Sequence, residues 1–118
     1  MYLIPVLHND HSGNGDGEQN GQWSGGAAPP RFVEYARNAA KNVGGSSVSF
    51  VDHYQSVVRT YAKLGSAAVN AFYPQDYTHT SLAGADVVAQ AFVQAVSRDL
   101  NGTTALKPYL KNPVPTVW

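Results

Sequence analysis

Two kinds of apolar pattern alternate along this chain, short runs typical of buried strands and longer stretches with helical spacing. Residues 2–7 and 48–51 are predicted to form strands. A helical pattern follows the first strand after an intervening loop and ends at Gly44. A second helical pattern follows the other strand directly and ends at Gly65. A third and longer helical pattern starts after Ser81, which is a good helix cap. Such alternation predicts an α/β fold, a parallel sheet with helices on its faces.

The predicted sheet is incomplete, because two strands cannot easily bury both faces of a parallel sheet. The helical patterns are clearer, and the predicted inward positions of the three helices are Phe32, Ala36, Ala39, Ala40 and Val43, then Val57, Val58, Tyr61 and Leu64, then Ala85, Val88, Phe92, Ala95 and Val96. We therefore expect an α/β/α sandwich that is truncated at its N-terminus.

Length and composition favour one domain of 118 residues that folds without disulfides, since the chain has no cysteine. Residues 1–100 are interpreted as a partial domain, with the first strand in residues 1–7 and a glycine-rich loop in residues 8–30. Residues 101–118 contain Pro108, Pro113 and Pro115 and predict an irregular C-terminal tail.

Charge argues against two classes of partner. Eight basic residues balance eight acidic ones without a basic run, so no long-range field would attract nucleic acid or a membrane surface. Residues 1–7 are too short to span a membrane and lack the flanks of a secretory signal. The four histidines have irregular spacing, so we expect neither a metal site nor a cofactor.

The chemistry suggested by the sequence lies in the loop before the last helix, where Asp76 and His79 are three residues apart. In a hydrolytic triad a carboxylate fixes the tautomer of an imidazole, and the imidazole takes a proton from a nucleophile. Asp52 and His53 form a second acid and imidazole pair, but Asp52 is better explained as the cap of the helix that follows.

Three segments carry a family resemblance: residues 31–36 (Arg-Phe-Val-Glu-Tyr-Ala), residues 50–53 (Phe-Val-Asp-His) and residues 76–81 (Asp-Tyr-Thr-His-Thr-Ser), the last followed by Ala-Gly-Ala and Val-Val-Ala. They resemble, in order, the C-terminal half of fungal rhamnogalacturonan acetylesterases of the SGNH or GDSL hydrolase class. The resemblance implies a three-layer α/β/α fold and hydrolysis of acetyl esters on a pectic polysaccharide or a small ester. It implies His79 as general base and Asp76 as the acid that orients it. The family is typically secreted.

The chain departs from that family at the nucleophile, because it contains no Gly-Asp-Ser motif. Asn9 follows the first predicted strand in a His-Asn-Asp string and is either the oxyanion-hole asparagine or a coincidence. The candidate nucleophiles are Ser12, Ser24, Ser46, Ser47 and Ser81, and none of these five lies in the family motif.

Two further hypotheses therefore stand beside the esterase. One is a non-catalytic relative that binds carbohydrate or another protein, with self-association through an exposed sheet edge. The other is a piece that complements a separate chain bearing the nucleophile. The aromatic residues Phe72, Tyr73 and Tyr77 are candidates to stack on sugar rings, and the alternative for Phe72 and Tyr73 is that they close the core beneath the loop.

Overall fold

A computed structural model of the chain describes residues 18–19, 22–23, 31–45, 48–75, 79–100 and 103–118. Its elements, in chain order, are β1 (Glu18–Gln19), β2 (Gln22–Trp23), α1 (Arg31–Val43), α2 (His53–Leu64), α3 (Ser66–Ala71), α4 (Leu82–Ser97) and a 3-10 helix (Lys107–Tyr109). The two short strands pair antiparallel. None of the described helices is long and apolar enough to cross a membrane.

The core lies where α2 packs against α4. Val57, Tyr61 and Ala91 are completely buried there. The small side chain of Ala91 lets the two helices approach, and the Ser56 hydroxyl donates a hydrogen bond of 2.6 Å to the Ala91 carbonyl. Burial of a valine or larger apolar side chain contributes about 1.5–3 kcal/mol, so this contact is the main source of stability in the described residues.

Local signals in the sequence explain where the helices begin and end. The Asp52 carboxylate accepts a hydrogen bond from the Gln55 amide and caps α2. Gly65 has a φ of +84°, which a side chain would disfavour, and it ends α2 before α3 begins. The Ser81 hydroxyl accepts from the Gly84 amide and caps α4, as the sequence predicts.

The end of the chain returns to the core. The Gln94 side chain is buried, and its Oε1 accepts from the amides of Val117 and Trp118 at 2.6 and 3.2 Å. Its Nε2 donates to the Trp118 oxygen at 2.9 Å. The indole N–H of Trp118 donates to the Ser56 hydroxyl, and the Arg59 guanidinium lies 4.8 Å from the indole ring centre.

The predicted parallel α/β/α sheet is wrong for the residues that the structure describes, which are mainly helical and whose only strands are the two short antiparallel ones. Residues 48–51 have no regular secondary structure, and no neighbouring strand pairs with them in the described ranges. An apolar run becomes a strand only when another backbone satisfies its amide and carbonyl groups. The first predicted strand, residues 1–7, lies outside the described residues. The predicted sheet edge for self-association is therefore not seen in the described part of the chain.

The predicted inward face of α1 also differs from the observed one. Val33 is buried, whereas Ala36, Ala39 and Val43 are exposed. The helix is instead held by Arg37, whose side chain reaches Asp52 and Phe50. Helical periodicity located this helix correctly but did not identify the face that is covered.

Candidate functional site

The loop that precedes α4 is fixed at both ends. The Ser81 amide donates a hydrogen bond of 2.6 Å to the Phe72 carbonyl, which closes the chain between these residues into a loop. The Ser81 hydroxyl, at 3.2 Å from the Gly84 amide, fixes the direction in which the helix leaves the loop. His79 lies two residues before this cap, so its backbone is held close to a rigid helix end.

Gly84 allows the first turn of α4 to lie against the loop. A Cβ atom at this position would be 2.7 Å from the Phe72 Cβ and 3.1 Å from the Thr80 Cβ. The first distance is shorter than any ordinary contact, so only glycine fits without a shift of Phe72 or Thr80. Because Thr80 adjoins His79, this close approach helps to determine where the imidazole lies.

The aromatic residues at the start of the loop close the core. Phe72 and Tyr73 are half-buried and pack against the buried cluster. The hydroxyl groups of Tyr73 and Tyr61 lie 3.1 Å apart. Burial raises the pKa of the Tyr61 phenol, and the hydrogen bond with Tyr73 opposes that rise. Of the two roles predicted for Phe72 and Tyr73, core closure is the one that the packing supports, while Tyr77 lies outside the described residues.

The imidazole of His79 is exposed at the surface. A base at an exposed position is accessible to a large substrate. Asp76 lies outside the described residues, and its predicted pairing with His79 stays a prediction. Leu82, in the first turn of α4, is an apolar residue that is 92% exposed.

The second acid and imidazole pair is structural. Asp52 caps α2 and receives a 2.9 Å salt bridge from Arg37. The His53 ring is buried, with its Nε2 atom 3.0 Å from the Val88 carbonyl and its centre 5.3 Å from that of Phe92. Burial lowers the pKa of His53, while the Val88 carbonyl and the Asp52 charge oppose this effect. The interpretation of Asp52 as a cap is confirmed.

Two of the described serines have hydroxyls that are already engaged in hydrogen bonds. The hydroxyl of Ser81 is used by the cap of α4. Ser56 is fully buried, donates to the Ala91 carbonyl and accepts from Trp118. The other predicted candidates (Ser12, Ser24, Ser46 and Ser47), and Asn9, lie outside the described residues. Within the described ranges, no three histidine, aspartate or glutamate side chains come together as a metal site would require.

Sequence reasoning missed the contacts of Arg37 and Gln94. The Arg37 guanidinium donates to Asp52, which lies 15 positions away in sequence. The Gln94 side chain accepts from the backbone amides of Val117 and Trp118, which lie 23 and 24 positions away. Neither contact leaves a local pattern in the sequence. A glutamine inside an otherwise apolar helix segment was the one available signal, because a buried amide requires partners.

No protein-family model matches the chain. A search of curated proteins found a rhamnogalacturonan acetylesterase of Emericella nidulans that is 44% identical over 80 residues. The match covers 65% of this chain and 31% of the relative, so the chain spans about a third of that enzyme's length. The resemblance predicted from the three sequence segments is thereby confirmed, and over most of its length the chain is similar to part of a rhamnogalacturonan acetylesterase.

Proposed function

We propose that this chain carries the general-base part of an ester hydrolase that removes acetyl groups from an acetylated polysaccharide of the rhamnogalacturonan type. The observation that carries the proposal is the 44% identity to an enzyme named for that activity. Support comes from His79, an exposed imidazole on a loop that is fixed by the Phe72–Ser81 hydrogen bond and by the cap of α4.

The proposed chemistry is acyl transfer to a hydroxyl and then to water. His79 takes the proton of a serine hydroxyl while the serine oxygen attacks the acetyl carbon, and Asp76 orients and stabilises the imidazolium that forms. The tetrahedral intermediate expels the sugar oxygen, which receives the proton from His79. Water then attacks the acetyl-serine with His79 again as base, and acetate leaves. No serine of this chain is assigned as the nucleophile.

Hydrolysis of an aryl acetate by the 118-residue chain tests the role of His79. We expect His79→Ala to lower turnover by about 10²- to 10⁴-fold, the usual contribution of a positioned general base. Asp76→Asn should lower it as well, because the imidazole would lose its orienting charge. Gln75→Ala is the matched control, since Gln75 is an exposed residue of the same loop, and it should retain full turnover. Equal turnover in the His79→Ala variant and the parent chain, both for each chain alone and after addition of the part of the Emericella nidulans enzyme outside the matched region, would refute the proposal.

The absence of a Gly-Asp-Ser motif in the sequence favours one alternative, a non-catalytic relative that binds carbohydrate or a partner protein. This alternative predicts no turnover above that of the His79→Ala variant, together with measurable binding of oligosaccharides. A complementing chain is tested by adding a second polypeptide that contains the part of the Emericella nidulans enzyme outside the matched region. Turnover that appears only in the mixture, and depends on His79, would support complementation.

A further inference from the structure

Tyr61, on α2, contacts both residues at the start of the loop that carries His79. The Tyr61 side chain is completely buried, and its ring centre lies 6.2 Å from that of Phe72. Its hydroxyl lies 3.1 Å from the Tyr73 hydroxyl. One side chain of the core therefore contacts two consecutive residues at the point where the chain leaves α3 and enters the loop.

The hydroxyl of Tyr61 has a role that a phenylalanine could not fill. A phenylalanine ring would occupy nearly the same space without a polar atom, whereas a buried hydroxyl costs free energy unless it forms a hydrogen bond. Burial raises the pKa of the Tyr61 phenol, so the hydroxyl keeps its proton at neutral pH and can donate or accept in the bond with Tyr73. This bond joins a fully buried atom of the core to a half-buried residue of the loop.

Phe72 connects Tyr61 to the other end of the loop. The Phe72 amide donates to the Val69 carbonyl at 3.0 Å, and its carbonyl accepts from the Ser81 amide at 2.6 Å. Phe72 therefore contacts the core through its ring, α3 through its amide and the cap residue of α4 through its carbonyl. Because His79 lies two residues before Ser81, a displacement of Phe72 would move the backbone that carries the imidazole.

Tyr73 determines the direction in which the chain enters the loop. Its amide donates to the Asn70 carbonyl at 3.1 Å, which holds its backbone against α3. The Tyr61 hydroxyl holds the other end of the residue, at the tip of the side chain. Loss of the Tyr61 hydroxyl would therefore remove a restraint on Tyr73 while the ring contact of Tyr61 with Phe72 remains.

We propose that Tyr61 is a positioning residue for His79, which it places by fixing Phe72 and Tyr73 at the start of the loop. His79 is exposed, so the core acts on it mainly through the ends of its loop. A displacement of about 1 Å in a catalytic group can lower a rate by about 10²-fold, so such a restraint matters for a base. The role of His79 as a base rests on the proposed function, whereas the restraint on the loop rests on the contacts of Tyr61.

Amide hydrogen exchange and NMR signals of the folded chain test the proposal. Tyr61→Phe removes the hydroxyl and keeps the ring. We expect exchange of the Ser81 amide to become about three- to tenfold faster, the usual effect of one lost hydrogen bond, and the signals of the His79 ring to shift. Thr60→Val is the matched control, because the Thr60 hydroxyl is also buried on α2 but donates to the Ser56 carbonyl of the same helix. It should leave both measurements unchanged.

A double variant tests whether the two tyrosine hydroxyls act through each other. Tyr73→Phe should also shift the His79 signals, and the addition of Tyr61→Phe to that variant should change them no further. Three results would overturn the proposal: unchanged Ser81 exchange and His79 signals in Tyr61→Phe, equal changes in Thr60→Val, or additive changes in the double variant.

Hydrolysis of the aryl acetate gives a separate measurement. Tyr61→Phe should lower kcat about tenfold and leave KM unchanged, because the base is displaced while the surface that binds the substrate is retained. Thr60→Val should change neither quantity. The NMR signals are recorded without substrate. A chain without esterase activity, alone or in the mixture, would therefore refute the proposed hydrolysis, while amide exchange and the His79 signals would still decide whether Tyr61 restrains the loop.

Discussion

Two histidines of this chain have opposite surroundings. His79 is exposed, whereas His53 is buried against Val88 and Phe92 and has a pKa below its usual value of 6.5. As pH falls through 6.5, the unfolded chain binds a proton at His53 that the folded chain does not yet bind. The contribution of His53 to the free energy of unfolding should therefore be constant above that pH and decrease below it, by up to about 1.4 kcal/mol per pH unit until the folded pKa is reached.

Urea unfolding at several values between about pH 5 and pH 8 checks this expectation. In His53→Gln the side-chain amide can still donate to the Val88 carbonyl but does not titrate, so the decrease below pH 6.5 should be smaller. Gln75→Ala is the control, because Gln75 is exposed and does not titrate, so this variant should leave the curve of the parent chain unchanged. Superimposable curves for His53→Gln and the parent chain would show that the burial of His53 does not shift its protonation.

At the scale of single elements, the first turn of α4 packs closely against Phe72 and Thr80 at Gly84, and Thr80 adjoins the candidate base His79. In Gly84→Ala the gain in helix propensity, about 1 kcal/mol, is opposed by the 2.7 Å contact with Phe72, and overpacking costs about 1–3 kcal/mol. We expect a net loss of about 1 kcal/mol and a displaced loop, seen as changed NMR shifts of the His79 ring. Ala85→Gly, at an exposed position of the same turn, should cost a similar amount without moving those signals. A more stable Gly84→Ala chain with unchanged His79 signals would contradict the argument.

The elements also show which parts of the structure the sequence predicts. Helices α1, α2 and α4 follow from local periodicity and from caps such as Asp52 and Ser81, which act within one turn. The strand predicted at residues 48–51 is wrong because a strand depends on a distant partner that no local pattern reveals. Helix α3 is short and has one buried residue, Val69, so its pattern was too weak to recognise.

The candidate site, unlike the helices, could not be predicted from local patterns in the sequence. His79 was identified by resemblance rather than by spacing, since an acid and an imidazole three residues apart occur often without a catalytic role. The resemblance is confirmed, but the role of His79 rests on the proposed chemistry. A cavity of about 650 Å³ that is lined by Lys41 of α1 and by residues 103–105, some sixty positions later in the chain, was not predicted. Contacts at such separation depend on the folded core and not on any local signal.

At the scale of the whole molecule, the end of the chain joins the two main helices. The side-chain amide of Gln94, on α4, forms hydrogen bonds with the backbone of Val117 and Trp118 through both its oxygen and its nitrogen. The hydroxyl of Ser56, on α2, accepts a hydrogen bond from the indole N–H of Trp118, which lies 62 positions away in sequence. Since the bonds involve buried groups on both helices, undocking of the end would leave the Gln94 amide without these partners, and the Ser56 hydroxyl would keep only its bond to the Ala91 carbonyl. Docking of the end and folding of the helix pair should therefore be one cooperative event.

Urea unfolding with two probes tests this cooperativity. In a Trp23→Phe background, which leaves Trp118 as the remaining tryptophan, Trp118 fluorescence and helical circular dichroism should change at the same urea concentration. Gln94→Ala should lower the free energy of unfolding by about 2–4 kcal/mol, because it leaves the bound backbone groups without partners and a void in the core. Gln90→Ala should change it by less than about 0.5 kcal/mol, since the Gln90 bond to Asp86 is exposed. A fluorescence transition that precedes the loss of helix in the Trp23→Phe chain would mean that the end of the chain undocks independently of the core.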